Sequence, residues 1–232
     1  RFVFLISTIA PILCGTILTA MPDSEAKLQV LRVFFYLCGA LCYSDRVLTV
    51  SPTYAEEICT PAYGEGLDSV FRRRREQLRG ILNGIDYQAY NPEKDKYLPA
   101  SFSAADLAGK AECKAALQAR LGLPENPQAP LLVLVSRLTE QKGLDLLLHI
   151  LQELLQEEPD LQLAVLGQGD ERYEHDFGWF GHNFPQQVAY RCEFSDDLAH
   201  NFYAAGDLLL MPSRFEPCGL AQLIAMRYGT LP

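Results

Sequence analysis

Three short stretches of the chain combine charge, glycine and an adjoining helix in ways that can do chemistry. Ser136-Arg137-Leu138-Thr139-Glu140-Gln141-Lys142-Gly143 follows the apolar run Leu131 to Val135 and sets an arginine and a lysine five residues apart, just before a helical stripe. Two cations and free backbone amides at a helix start can surround a diphosphate. Loops of this kind also carry cations merely because they are solvated. Gly167-Gln168-Gly169-Asp170 would let backbone approach a ligand closely. It lacks the third glycine of the dinucleotide fingerprint and follows the second strand of its series, so alone it specifies nothing. Pro212 to Leu220 places Glu216 and Pro217 just ahead of another helix. A carboxylate there is favoured by the helix dipole alone; alternatively it grips sugar hydroxyls while the helix amides face a phosphate.

No metal is expected. Cys38 and Cys42 are four apart and share a helix face, but with no second close pair or nearby histidine, buried packing explains them better. His149, His175, His182 and His200 match no motif and read as structural or solvent-facing. Seven cysteines at irregular spacing form no disulfide framework and suit a reducing compartment.

The elements that position these loops are legible from residue 131 onward. Leu131 to Val135 is a continuous apolar strand of the type buried on both faces of a parallel sheet. Gly143 to Gln156 follows as a helix with the stripe Leu144, Leu147, Leu148, Leu151, Leu154 and Leu155. Leu161 to Leu166, Gln187 to Cys192 and Leu208 to Met211 read as further strands. Asp196 to Ala204 and Gly219 to Tyr228 read as the helices after the last two. This alternation predicts a doubly wound Rossmann-like sheet, in which ligands bind beyond the carboxyl ends of the strands.

Upstream, Leu28 to Tyr43 has helical spacing, and Val47 to Val50 is a short strand. Ser51-Pro52-Thr53 then starts a helix, with Thr53 and Glu56 spaced as a capping box. Arg72 to Arg75 is expected to be a solvated helix face, and Ile81 to Asp86 a short strand closing on an Asn-Gly turn. Prolines and polar residues then mark a linker, with Lys110 to Leu121 as a polar helix within it. The domains expected are residues 1–90, a linker over 91–130, and residues 131–232. The uncharged opening from Phe2 to Pro22 is long enough for a membrane span, yet Pro11 and Gly15 suit displaced core better. With 29 acidic against 20 basic residues the chain carries a net charge of -9, which argues against a nucleic-acid partner.

Together, Val135 to Asp145, Pro212 to Leu220 with its continuation to Pro232, Val50 to Ala55, and Leu82 to Asp86 closely resemble the bacterial glycogen synthases and plant starch synthases. The four motifs occur in the family's order and cover about residues 30 to 232. The resemblance implies an α/β chain of the GT-B fold, with two Rossmann-like domains, both incomplete over this length. It implies retaining transfer of glucose from ADP-glucose to the non-reducing end of an α-1,4-glucan, without a metal or other cofactor. The location implied is cytoplasmic, or the plastid stroma for a plant or alga. By the same resemblance Arg137 and Lys142 hold the donor diphosphate, Glu216 contacts the donor glucose, and Cys218, Gly219 and Leu220 bring amides to sugar and phosphate. Asn83 lies near the glucose, and Phe194 either stacks on adenine or belongs to the core. Where the wider fold class often has a second glutamate eight positions after the first, Ile224 follows Glu216. The Lys-x-Gly-Gly-Leu and Thr-Gly-Gly-Leu segments of the family are absent, so the chain is expected to be an internal piece, inactive by itself. A non-catalytic relative that retains nucleotide or glucan binding is the alternative.

Overall fold

In a computed structural model the described residues are 3–6 and 24–232, and they divide into two compact units, Arg1–Asn83 and Gly84–Pro232. The membrane reading of Phe2 to Pro22 falls mostly outside the described residues. Among those described, no helix is long and apolar enough to cross a membrane.

The first unit has a parallel three-stranded sheet in the order β1 (Val3–Ile6), β2 (Arg46–Thr49), β3 (Leu78–Gly80). Helix α1 (Ser24–Tyr43) links β1 to β2, and α2 (Pro52–Glu57) and α3 (Asp68–Arg73) link β2 to β3. The cap of α2 is Ser51 and not Thr53. Its side chain accepts the Tyr54 amide at 2.9 Å, and Pro52 occupies the first helical position, where a missing N–H is harmless. The third strand lies three residues earlier than the apolar run Ile81-Leu82 suggested. Gly80 explains the shift: a Cβ there would lie 2.0 Å from the Ser51 carbonyl oxygen, so only glycine can pass the turn that starts α2. Beyond it Ile81 and Leu82 are exposed. The arginine run is solvated as expected, with Arg72, Arg73 and Arg75 exposed; Arg72 pairs with Asp68, Arg75 pairs with Glu56, and only the half-buried Arg74 turns inward, donating to the Ser44 carbonyl.

The second unit has a parallel four-stranded sheet in the order β6-β5-β4-β7, formed by β4 (Leu131–Val135), β5 (Gln162–Leu166), β6 (Val188–Arg191) and β7 (Leu208–Leu209). Side-chain alternation divides its core in two. Leu131, Val133, Ala164, Leu166 and Ala189 face α4 (Ala108–Leu121), α7 (Asp196–Ala205) and α8 (Leu220–Arg227). Leu132, Leu134, Leu163, Val165 and Val188 face α5 (Leu144–Glu157) and α6 (Glu171–Asn183). Both faces are covered, which is why the strands are continuously apolar. Helix α6 has no counterpart in the elements read from the sequence. Its buried stripe Tyr173, Phe177 and Phe180 is helically spaced, but Gly178, Gly181 and the charged residues between obscure it.

The proline-rich stretch before β4 is part of this unit. Phe102, Cys113, Leu117 and Leu121 are core residues, so the chain divides at Asn83, upstream of the expected linker. Polar contacts fix the stretch. Lys114 Nζ pairs with Asp207 at 2.7 Å, and the same carboxylate oxygen accepts the Leu131 amide at 2.8 Å. Asp95 accepts from His200 at 2.6 Å and from the Tyr228 hydroxyl, so His200 is a buried structural residue. The other three histidines are exposed. Lys110 Nζ donates to the carbonyls of Ala204 (2.8 Å), Gly206 (2.9 Å) and Tyr228 (3.2 Å) and to Thr230 Oγ1 (2.9 Å), joining α4 to α7 and the turn after α8.

Replacing Lys110 by Met leaves those carbonyls without their donor and is expected to lower unfolding free energy by about 2 kcal/mol in denaturant titrations. Burial pushes the Lys110 ammonium down from 10.5 to about 8. The unfolded chain therefore binds more protons between those values, and this group's contribution to stability rises with pH across the window. The stability gap between the native protein and K110M should accordingly widen from pH 7.5 to 10; a gap that narrows contradicts the assignment.

Candidate functional site

In the second unit β4 lies between β5 and β7, so the strand order reverses there. The carboxyl ends of β4 and β7 are the crevice where a doubly wound sheet takes its ligand. Two of the loops singled out by their residues meet at that point. After β4 the chain turns through a short 3₁₀ segment, Glu140–Lys142, and enters α5 through Gly143 at φ 62°. A Cβ at Gly143 would stand 2.1 Å from the Pro212 carbonyl oxygen, so the two loop backbones touch only because this residue is glycine.

Hydrogen bonds continue that contact. The Arg214 amide donates to the Gln141 carbonyl at 2.9 Å, and Gln141 Nε2 donates to the Phe215 carbonyl at 3.3 Å. Lys142 Nζ lies 2.7 Å from Glu216 Oε2, which also accepts from Ser213 Oγ at 3.0 Å. With side chains 18% and 25% exposed, the Lys142–Glu216 pair is partly shielded from water, where such pairs are stronger than on an open surface. Glu216 is thus fixed by a cation and a hydroxyl, which the dipole reading did not foresee. Gly219 starts α8 at φ 72° without any side-chain cap. Cys218 is half-buried, Gly219 buried and Leu220 exposed.

The Gly-x-Gly after β5 has a structural cause. A Cβ at Gly167 would lie 1.9 Å from the Ser136 carbonyl oxygen, and one at Gly169 2.3 Å from that of Leu138. The Leu138 amide donates to the Gln168 carbonyl at 3.0 Å, and the Asp170 amide to the Leu138 carbonyl at 2.7 Å. The glycines serve the approach of one loop to another.

Above these loops a cleft of about 400 Å³ is lined by Val135, Arg137, Gly167, Gln168, Phe194 and Ala199, among others. Phe194 is 85% exposed, so it is no core residue and its ring is a wall of the cleft. Ser195, next to it, caps α7 by accepting the Leu198 amide at 3.2 Å. Arg137 is exposed at the cleft and forms no ion pair among the described residues. Lys142 lines a smaller adjoining hollow with Met211, Pro212, Ser213 and Ala221, and the two hollows share Val135 and Ser136. Arg137, Lys142, Glu216, Phe194, Cys218, Gly219 and Leu220 therefore all belong to the strand ends of the second unit. Asn83 is the last residue of the first unit and is exposed. Ser213, Asp145 and Arg214 were not anticipated from sequence. Among the described residues no group of three His, Cys, Asp or Glu side chains could hold a metal ion.

The chain is similar to known proteins. The family model for glycosyl transferases group 1 matches residues 118–232, and that for the starch synthase catalytic domain matches residues 17–73. A glycogen synthase of Streptococcus equi subsp. equi is 53% identical over 197 residues, covering 85% of this chain and 41% of that protein. A glycogen synthase of Clostridium perfringens is 50% identical over 211 residues, covering 91% and 43% respectively. The solved catalytic domain of starch synthase IV from Arabidopsis thaliana, bound to ADP and acarbose, superposes with a TM-score of 0.79 at 40% identity, covering 84% of this chain and 40% of that one. The chain thus spans about two fifths of the length of the curated relatives it matches. With both family models matched in order, two α/β units with parallel sheets, and identities of 50% and 53% to the curated relatives, the chain belongs to the glycogen and starch synthase family of GT-B glycosyltransferases.

Proposed function

We propose that the protein carrying this chain transfers glucose, with retention, from ADP-glucose to the non-reducing end of an α-1,4-glucan, and that the second unit holds the donor. The observation that carries this proposal is the Lys142–Glu216 pair at the joined ends of β4 and β7, beside a cleft bearing Arg137 and Phe194. A nucleotide sugar has a flat base, two phosphates and a ring of hydroxyls, and these residue types answer each part.

Phe194 offers an exposed ring on which adenine can stack. Arg137 and Lys142 offer cations to the diphosphate. As the bond from sugar to phosphate breaks, negative charge accumulates on the departing ADP, and fixed cations lower the barrier by stabilising it. Glu216 offers the remaining oxygen of its carboxylate to glucose hydroxyls, with the uncapped start of α8 beside it. Cys218, Gly219 and Leu220 carry the backbone that approaches sugar and phosphate. The transfer we propose uses no metal or further cofactor. The ADP bound by the Arabidopsis starch synthase catalytic domain supports the choice of nucleotide, and the glycogen synthase relatives support the glucan acceptor.

In the full-length protein, Arg137→Ala and Lys142→Ala are each expected to weaken ADP binding about 10- to 100-fold, the loss of one charge-assisted hydrogen bond. Titration calorimetry reads this directly, and unchanged affinity in the double variant removes the assignment. Phe194→Ala should weaken ADP about 5- to 10-fold while leaving pyrophosphate binding unchanged, since only the base loses its platform. Glu216→Gln separates binding from transfer. Glucose transfer should fall at least about 100-fold, whereas ADP affinity should hold or rise, because the neutral amide competes less for Lys142. A drop in ADP affinity that matches the drop in transfer would count against the role given to Glu216.

A further inference from the structure

We infer that Asp145 and Arg214 are positioning residues for the donor site, forming a clasp that holds Glu216 and Lys142 in one geometry; the inference rests on the donor-site proposal above. Arg214 Nη2 lies 2.6 Å from Asp145 Oδ2. Arg214 stands two positions before Glu216, and Asp145 three positions after Lys142. The pair therefore joins the same two loops as the Lys142–Glu216 contact, from the other side of the Gly143 crossing. Around it, Gln141 accepts from the Arg214 amide and donates to the Phe215 carbonyl.

The clasp has no role in the core that would explain it otherwise. The Arg214 side chain is 48% exposed and that of Asp145 31% exposed, and neither residue lies in a hydrophobic cluster. The second oxygen of Asp145 is buried and accepts no hydrogen bond. Arg214 is thus the side-chain donor on which the Asp145 carboxylate depends, apart from the start of α5, where a negative charge is favoured. Arg214 is in turn directed at α5. If either partner is removed, the loop after β7 keeps its backbone contact with the loop after β4 but loses the charge contact that fixes its far side. Displacements of an ångström at reacting groups are enough to cost orders of magnitude in rate.

A double-mutant cycle on the full-length protein tests this, with glucose transfer measured well below the thermal midpoint of every variant. Asp145→Asn and Arg214→Gln should each lower kcat about tenfold with a smaller change in donor KM, and the double variant should fall no further than either single one. Additive losses, or a lowered thermal midpoint with kcat unchanged, overturn the clasp. A loss confined to Arg214→Gln overturns it too, and identifies that arginine as a direct phosphate ligand. Absence of transfer by the unaltered protein in the same assay would instead overturn the donor-site proposal.

Discussion

The backbone crossing of Gly143 and Pro212 is the contact on which the rest of the site depends. Two loops from neighbouring parallel strands normally diverge into their separate helices. Here they run together because position 143 has no side chain and tolerates a left-handed conformation. Lys142 immediately precedes the crossing and Glu216 follows Pro212 by four residues, so the ion pair is a consequence of it. A β-carbon at 143 would separate the loops before any question of charge arose. The sheet order supplies the other half of the constraint, since only β7 lies next to β4 on that side.

The same device is used a second time. Gly167 and Gly169 bring the loop after β5 against the Ser136 and Leu138 carbonyls, on the opposite flank of the loop after β4. The loop carrying Arg137 and Lys142 is therefore gripped from both sides by backbone. Electrostatic stabilisation of a departing anion depends on donors that need not move when the charge appears. Backbone-to-backbone contact at glycine is a rigid way of meeting that need, and it is independent of pH and salt.

The parts of this that were legible in the sequence are local or periodic. β4, β5 and α5 stand out because strands buried on both faces are continuously apolar, and because one leucine stripe suits one helix face. The cations at 137 and 142 stand out because strand-to-helix loops are where ligands bind in such sheets. Helix α6 was hidden by its glycines. The third strand was misplaced because Ile81-Leu82 is more apolar than Leu78-Arg79-Gly80, although only the latter fits past the Ser51 turn. The stretch before β4 reads as a linker by its prolines, although Cys113, Leu117 and Leu121 recur at the four-residue spacing of one helix face. The Gly-x-Gly specified nothing by itself in the sequence, and its cause, the approach of another loop, involves residues some thirty positions away. The ion pairs could not be read at all. Lys142 and Glu216 are 74 residues apart and Asp145 and Arg214 are 69 apart, and no periodicity connects them.

The two cations of the site are not equivalent, which bears on how an acidic chain would receive the anionic donor proposed for it. Lys142 is already neutralised by Glu216, whereas Arg137 stands exposed at the mouth of the larger cleft without an ion-pair partner among the described residues. With a net charge of -9 the chain as a whole repels a diphosphate, so local attraction must come from an uncompensated cation. Arg137 meets that requirement, and its planar fork suits two phosphate oxygens at once. Lys142 can add its charge only as Glu216 gives it up, and a carboxylate released in this way is free to accept hydroxyls from the sugar on the same donor. In the donor site proposed above, phosphate and sugar recognition would thereby be coupled through one shared proton donor, and a nucleotide lacking the sugar would satisfy only half of the exchange.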